Sequence, residues 1–401
     1  MRKTLTLLLC SGSSLAFAQD TLQEKAMDIY GFAMMDFGYN AGAIHPDWFD
    51  VMRPTKLPSF KDEFGSEGNM YFGVRQSRLG VKSYTNTPLG ELFTQFEFEM
   101  FGTGVDAGQT TIRLRHAYGQ LGKWGAGQYW SPFMDIDIFP NSVEYWGPCG
   151  MAFFRNVQLR FMPIQGDTRL TFAIERPGAS ADQGPYGSVI SAAGVTPRFP
   201  APDFSAEYHR ATKFGYVELA GIVRDVEWED HNDSLDLDGS ALCYGLNLTS
   251  NIHYGKDKKS TIRFGAVFGQ GIQNYMNDAT VDIGVRPNEG DARKPIEGYA
   301  IPMIGGSLFI DHFWSSKAST TIGYSMLDMD LDDASDSSAY QQGGYGIANI
   351  MFYPVPNVMW GAELQYGSRM NFKDDWDYSA VKVQLSFKYN FGQTLYRRKK
   401  A

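Results

Sequence analysis

Along most of the chain, apolar side chains recur at every second position. From Val383 to Phe391, Val, Leu, Phe, Tyr and Phe alternate with Gln, Ser, Lys and Asn. Leu79 and Val81 oppose Arg78, Gly80 and Lys82, while Phe96, Phe98 and Met100 oppose Gln95, Glu97 and Glu99. Period two over such lengths predicts β-strands with one apolar face. The pattern places them near 27–40, 69–84, 90–101, 110–121, 123–130, 154–163, 168–176, 203–212, 216–228, 240–253, 260–273, 298–313, 317–329, 339–353, 358–371 and 379–391. No helical period of any length interrupts them. Short turns such as Asn86-Thr87-Pro88 and Lys213-Phe214-Gly215 alternate with long connections at 41–68, 131–153, 177–202, 229–239 and 274–297.

That alternation is the signature of an up-and-down membrane barrel, with tight periplasmic turns and long external loops. A soluble sandwich strand has the same period. However, about sixteen apolar inner faces would overfill a closed barrel, whereas apolar-out and polar-in satisfies both sides. Tyr and Trp near the turns, among them Tyr84, Trp124, Tyr254 and Trp360, suit the aromatic girdles at membrane interfaces. The expected fold is therefore an all-β, antiparallel transmembrane β-barrel of about 16 strands with an inward-folded constriction loop, like a porin.

The chain ends sharpen this reading. Arg2 and Lys3, an apolar run from Leu5 to Leu9, and Ala16-Phe17-Ala18 form a secretory signal over residues 1–18. Cys10 stands too early to serve as a lipoprotein anchor. The barrel is expected over 19–391, with a basic C-terminal tail at 392–401 that contains Arg397, Arg398, Lys399 and Lys400. The strand ending at Phe391 resembles the assembly signal of outer-membrane barrels, although the chain continues past it. Lysine and arginine number 36 against 45 acidic residues, a formal charge of −9. Beyond the signal, Cys149 and Cys243 are too few and too distant for a disulfide framework and are expected to be free.

The chemistry concentrates between Ile112 and Met162. Arg113 and Arg115 alternate with apolar residues, a Pro-, Gly- and aromatic-rich segment follows, and Arg155 precedes the alternating run that contains Arg160. By parity, Arg78, Arg113, Arg115, Arg160 and Arg224 point into the lumen, with Lys82 and Arg263 as further candidates, and Arg155 stands at the return of the loop. Arginine suits a carboxylate path because its planar fork binds two oxygens and keeps its charge. The alternative is that these arginines pair with Glu97, Glu99, Glu218 and Glu363 and only hold the wall. Loop residues Asp135, Asp137 and Glu144 either face the arginines and set a transverse field or are pinned to the wall. Trp146-Gly147-Pro148 is expected to turn the loop tip. Asp236-Leu237-Asp238-Gly239 lacks the first Asp and the closing Glu of a calcium loop, so no metal is expected.

Several motifs together resemble the DcaP-like trimeric outer-membrane porins. They are Arg75-Gln-Ser-Arg-Leu-Gly-Val-Lys82, Leu114-Arg-His-Ala-Tyr-Gly119, Gly127-Gln-Tyr-Trp-Ser-Pro-Phe-Met-Asp135, Tyr145-Trp-Gly-Pro148, Phe154 to Arg160, and Tyr353 to Arg369. The resemblance implies a sixteen-stranded homotrimer in a Gram-negative outer membrane that admits small anionic solutes, dicarboxylates in particular. It departs from the founding members, which carry a long coiled-coil segment before the barrel. The expected partners are those anions, outer-membrane lipid and the barrel-assembly machinery, with no cofactor and no nucleic acid. The rival readings are a lipase-like barrel enzyme and a structural or adhesion barrel. For the enzyme, His116 falls on the outward face by strict alternation, but no serine elbow accompanies it.

Overall fold

The computed structural model describes residues 23–232, 235–255 and 257–398. The expected signal peptide lies outside them. Sixteen strands form the wall. They are β1 (Gln23–Asn40), β2 (Asn69–Gly73 continued by Arg78–Thr87), β3 (Gly90–Phe101), β4 (Thr110–Leu121), β5 (Trp124–Trp130), β6 (Arg155–Ile164), β7 (Thr168–Glu175) and β8 (Asp203–Thr212). The second half comprises β9 (Gly215–Glu229), β10 (Gly239–Tyr254), β11 (Ser260–Gln270), β12 (Pro302–Ser315), β13 (Ala318–Met329), β14 (Tyr340–Phe352), β15 (Val358–Asn371) and β16 (Asp377–Arg398). Each strand pairs antiparallel with its neighbour in sequence, and β1 pairs with β16 from Gln23↔Arg398 to Asn40↔Lys382, which closes the barrel. Full closure leaves no wall edge to be satisfied in lipid.

Two boundaries differ from the sequence pattern. Strand β16 continues through the start of the expected basic tail, because Gly392–Arg398 pairs with Gln23–Tyr30. Residues 298–300, expected at the head of β12, instead belong to a short strand, Ile296–Ala300, that pairs with Ile283–Pro287 in an external hairpin. A seven-residue helix, Gly187–Ala193, also stands in an outer loop, where no helical period was expected. Its polar and apolar residues are too few to make a readable stripe.

Outward parity is apolar, with Leu79, Phe96, Leu219, Leu248 and Leu364 all exposed on the surface. The inner face is only partly polar. Met52 and Leu57 from loop 41–68, Phe133, Met134 and Cys149 from loop 131–153, and Ile272, Tyr275 and Met276 from loop 271–301 form one buried cluster. They pack there against inward Ile222, Val267, Phe309 and Leu327. Three loops thus fold inward and pack an apolar layer on the inner face of β9 and β11–β13. Cys149 and Cys243 are free and buried.

Loop 131–153 circles the inside of the wall. Ser131 donates to Glu175 on β7, Asn141 donates to Ser319 and Tyr353, and Ser142 donates to Glu363 on β15. The carbonyl of Val143 accepts from Gln76 and Gln384, tying the loop to β16 and to the interruption in β2. Gly150 lies flat on β12 and β13, where a Cβ would overlap the Met326 carbonyl oxygen. Its amide donates to Ser325 Oγ at 2.8 Å. Gly150→Val should therefore keep the barrel but unseat the loop at a cost of about 1–3 kcal/mol. Thermal unfolding in detergent checks this; an unchanged midpoint would show that the loop does not depend on this seat.

Candidate functional site

Four of the lumenal arginines meet at two carboxylates. Strand register sets Glu99 opposite Arg78 on one side and Arg113 on the other. Arg78 lies 3.5 Å from Glu99 and 3.7 Å from Glu97, and Arg113 lies 3.7 Å from Glu99. Arg115 bridges both acids, at 2.7 Å to Glu97 and 2.5 Å to Glu99. Arg155 approaches Glu99 at 3.7 Å as the loop re-enters β6.

A β-bulge makes the bridge possible. Glu97 pairs with His116 and Phe98 with Leu114, so Arg115 is the extra residue on β4. A bulge places two consecutive side chains on one face. His116 is thus inward and buried, against the outward position that strict alternation assigns it. Its ring packs between Tyr129 and Trp130, with both centroids 4.8 Å away. On the other side, Gly80 leaves room for the Tyr30 ring, which would overlap any Cβ there. The Tyr30 hydroxyl then donates to Glu97 at 2.8 Å.

The loop tip completes the cluster. Tyr145 stacks on Phe101 at 3.8 Å and its hydroxyl donates to Glu99. The segment interrupting β2 supplies the rest: Arg75 binds Asp50 of loop 41–68 at 2.6 Å, and Gln76 holds Asp36 and the Val143 carbonyl. In Arg75-Gln-Ser-Arg78, one arginine therefore anchors a loop and the other faces the pore.

Charge and burial are uneven here. Four guanidinium groups surround two carboxylates, an excess of two positive charges. Glu99 is wholly buried and the Arg115 side chain is 5% exposed, whereas Arg78 and Arg113 keep 25% and 30% of their side chains open. Arg78 Nε and Arg155 Nη1 have no hydrogen-bond acceptor among the described residues. On the same wall, Lys82 lies 5.0 Å from the Tyr30 ring and Lys388 lies 4.0 Å from the Phe32 ring. The arrangement presents an anion with exposed cationic donors on a rigid, ion-paired base.

The other expected site residues lie elsewhere. Arg160 donates to Gln158 Oε1 at 2.7 Å and to the Trp130 carbonyl and faces the Tyr129 ring, without an ion pair among the described residues. Arg224 has a fully buried side chain bound to Asp203 and Asp282, both at 3.0 Å, and to the carbonyls of Gly271 and Gly178. It ties the wall to the outer loops and cannot line the path. Arg263 pairs with Asp311 at 2.6 Å and donates to the Asp137 carbonyl.

Two of the loop acids, Asp135 and Glu144, are fastened away from the arginine cluster, whereas Asp137 lies in the field of Arg169 and Arg263. Asp135 accepts from Tyr216 at 2.6 Å and Thr249 at 2.7 Å. Glu144 accepts the amides of Met52 and Gly147, which joins loops 41–68 and 131–153 at the Gly147 turn. Burial raises its pKa above the ordinary carboxylate value, while Lys382 and the two amides pull it back. Asp137 is likewise pushed up, to about 6, by burial and by neighbouring Asp135. In the outer loop, Asp230 and Asp238 carboxylates accept backbone amides of the loop itself.

A family model described as DcaP outer membrane protein matches residues 61–232, from before β2 to the end of β9. The crystal structure of the outer-membrane channel DcaP of Acinetobacter baumannii superposes with a TM-score of 0.74 at 18% identity, covering 94% of this chain and 99% of that one. Over residues 61–232 the chain is similar to the DcaP outer membrane proteins, and over nearly its whole length it shares the barrel fold of the DcaP channel. More remote similarity extends to an anion-selective porin from Comamonas acidovorans (TM-score 0.57, 10% identity, 92% and 100% coverage). It extends also to OmpT of Vibrio cholerae in its trimer form (0.53, 11%, 91% and 99%). A search of the curated proteins gave no match.

Residues missed by pattern are Tyr145, whose direction depends on the loop, and the order of burial among the arginines. Arg115→Ala should destabilise the barrel by about 3–5 kcal/mol, because it strands two buried carboxylates. Arg113→Ala, with one long and partly open contact, should cost less than about 1 kcal/mol. Denaturant unfolding in detergent compares the two; the reverse order would refute this division of roles.

Proposed function

We propose that this channel is a porin for small hydrophilic anions, dicarboxylates among them, and that it works as a homotrimer. The observation that carries the reading is the excess of two positive charges at Glu97 and Glu99, with Arg78 and Arg113 still open to the lumen. One unit charge 4 Å from another gains about 1 kcal/mol in water and about 4 kcal/mol at an effective dielectric near 20. Two such contacts favour entry of a dicarboxylate, and the solvent open to Arg78 and Arg113 keeps binding weak enough for release. Two named neighbours support the reading by analogy of fold, the Comamonas porin for anion preference and the Vibrio trimer for assembly.

A catalytic barrel is the less favoured reading. Its histidine candidate, His116, is buried against Tyr129, Trp130 and Glu97 rather than beside a serine. Insertion by the barrel-assembly machinery would read the terminal strand through Phe391, and the apolar outer face would contact lipid.

Liposome swelling tests the substrate class. Succinate should enter faster than a neutral solute of equal size, and Arg113→Ala should reduce that preference roughly fivefold, the equivalent of about 1 kcal/mol. Equal entry of succinate and the neutral solute in the unaltered protein would remove the claim.

A further inference from the structure

Further round the wall from the arginine cluster, β8 and β9 carry a second group of polar side chains that the anion path does not use. Phe204, Tyr208, Val217 and Leu219 are exposed on the outer face, so Glu207, His209 and Glu218 share the inner one. His209 and Glu218 stand directly opposite each other in the strand pair, close to the periplasmic turn at Lys213-Phe214. His209 Nδ1 lies 3.0 Å from Glu218 Oε2. One ligand atom from each of Glu207, His209 and Glu218 can be chosen so that all lie within 4.8 Å of one another.

We propose that Glu207, His209 and Glu218 form a lumenal site for a divalent transition-metal cation of the zinc type. Bonds of about 2.0–2.2 Å in a tetrahedral site set its donors about 3.3–3.5 Å apart, so the three side chains need only rotamer adjustment. An imidazole with two carboxylates selects zinc or its neighbours over magnesium or calcium, which prefer all-oxygen shells. Three protein ligands leave a further position for water or a passing carboxylate. Binding through Nδ1 requires the ring to carry its proton on Nε2.

Two independent features support the site. The first is a supporting layer. The His209 ring lies against Tyr216 at 4.5 Å, and the Tyr216 hydroxyl is fixed on Asp135, which also accepts from Thr249. Such outer contacts hold a ligating ring in orientation. The second is the cation now in place. Arg169 reaches Glu207 at 3.2 Å and Glu218 at 3.3 Å, the same two carboxylates, and 39% of its side chain is open to solvent. One guanidinium charge faces two acids. A divalent ion balances both, and the long arginine stem can swing into the lumen to admit it. Bound metal would neutralise the two acids and release the Arg169 charge into the lumen, which would make the conductance of the pore zinc-sensitive. The inference stands on the barrel geometry alone and does not require the anion preference.

The test is calorimetric titration of tag-free, detergent-solubilised protein with Zn2+. One ion per chain should bind saturably at micromolar concentration. His209→Ala should weaken binding at least about tenfold. Arg169→Ala, which keeps all three ligands and removes the competing cation, should tighten it. Heat-shift electrophoresis confirms that each variant is a folded barrel, and the Arg169 variant decides the matter if the His209 variant does not fold. Absence of saturable binding in the unaltered protein, binding by a folded His209→Ala chain equal to the original, or binding unchanged by Arg169→Ala would each overturn the proposal.

Discussion

Glu99 is a carboxylate with no solvent exposure that sits where four strands and a loop converge. Buried ionised carboxylates are costly unless paired, so the surroundings must supply positive charge and donors. Arg115 and the Tyr145 hydroxyl satisfy it closely, and Arg78, Arg113 and Arg155 stand at longer range. This one constraint orders much of the pore. It fixes the bulge on β4, draws the loop tip back to the wall through Tyr145, and holds β2, β3, β4 and β6 to one electrostatic centre. Because Glu97 and Glu99 are outnumbered, the same centre leaves cationic surface for a solute. The base of the site and its working face are thus different members of one cluster.

The three external loops serve that centre from above. Arg53 of loop 41–68 lies against the Trp48 and Trp146 rings, 4.2 and 3.9 Å from their centroids, and pairs with Asp278 of loop 271–301 at 2.8 Å. Desolvated contacts of this kind between a guanidinium and indole rings are favourable by about 2 kcal/mol. With the apolar cluster around Phe133 and Tyr275, they fasten the three loops to one another and to the wall. The arginine cluster is therefore backed by packed loops, and the loop's own acids, Asp135 and Glu144, are used in fastening them.

The barrel was legible because period two records which side of the wall each residue faces. All sixteen expected segments correspond to wall strands, and the alternation of short and long connections gives the up-and-down order. The pairing of Arg78, Arg113 and Arg115 with Glu97 and Glu99 was open to reading on the same basis, as an alternative to free arginines. Parity failed where geometry left the period. His116 is inward because a bulge inserts Arg115, and no local residue signals that. Arg224 obeys parity, yet Asp203 and Asp282 bury it; Asp282 comes from a distant loop whose position no pattern in the chain records. Likewise, the loop acids were readable as charges but not as caps, since Asp135 and Glu144 find their donors on other strands and loops.

The central claim is that the constriction carries net positive charge fixed by the wall. Its most direct test is the zero-current potential of single channels in planar bilayers across a tenfold KCl gradient. The account predicts a potential with the sign of chloride permeating faster than potassium. A potential of the opposite sign would contradict it, whatever the solute the channel carries in the cell.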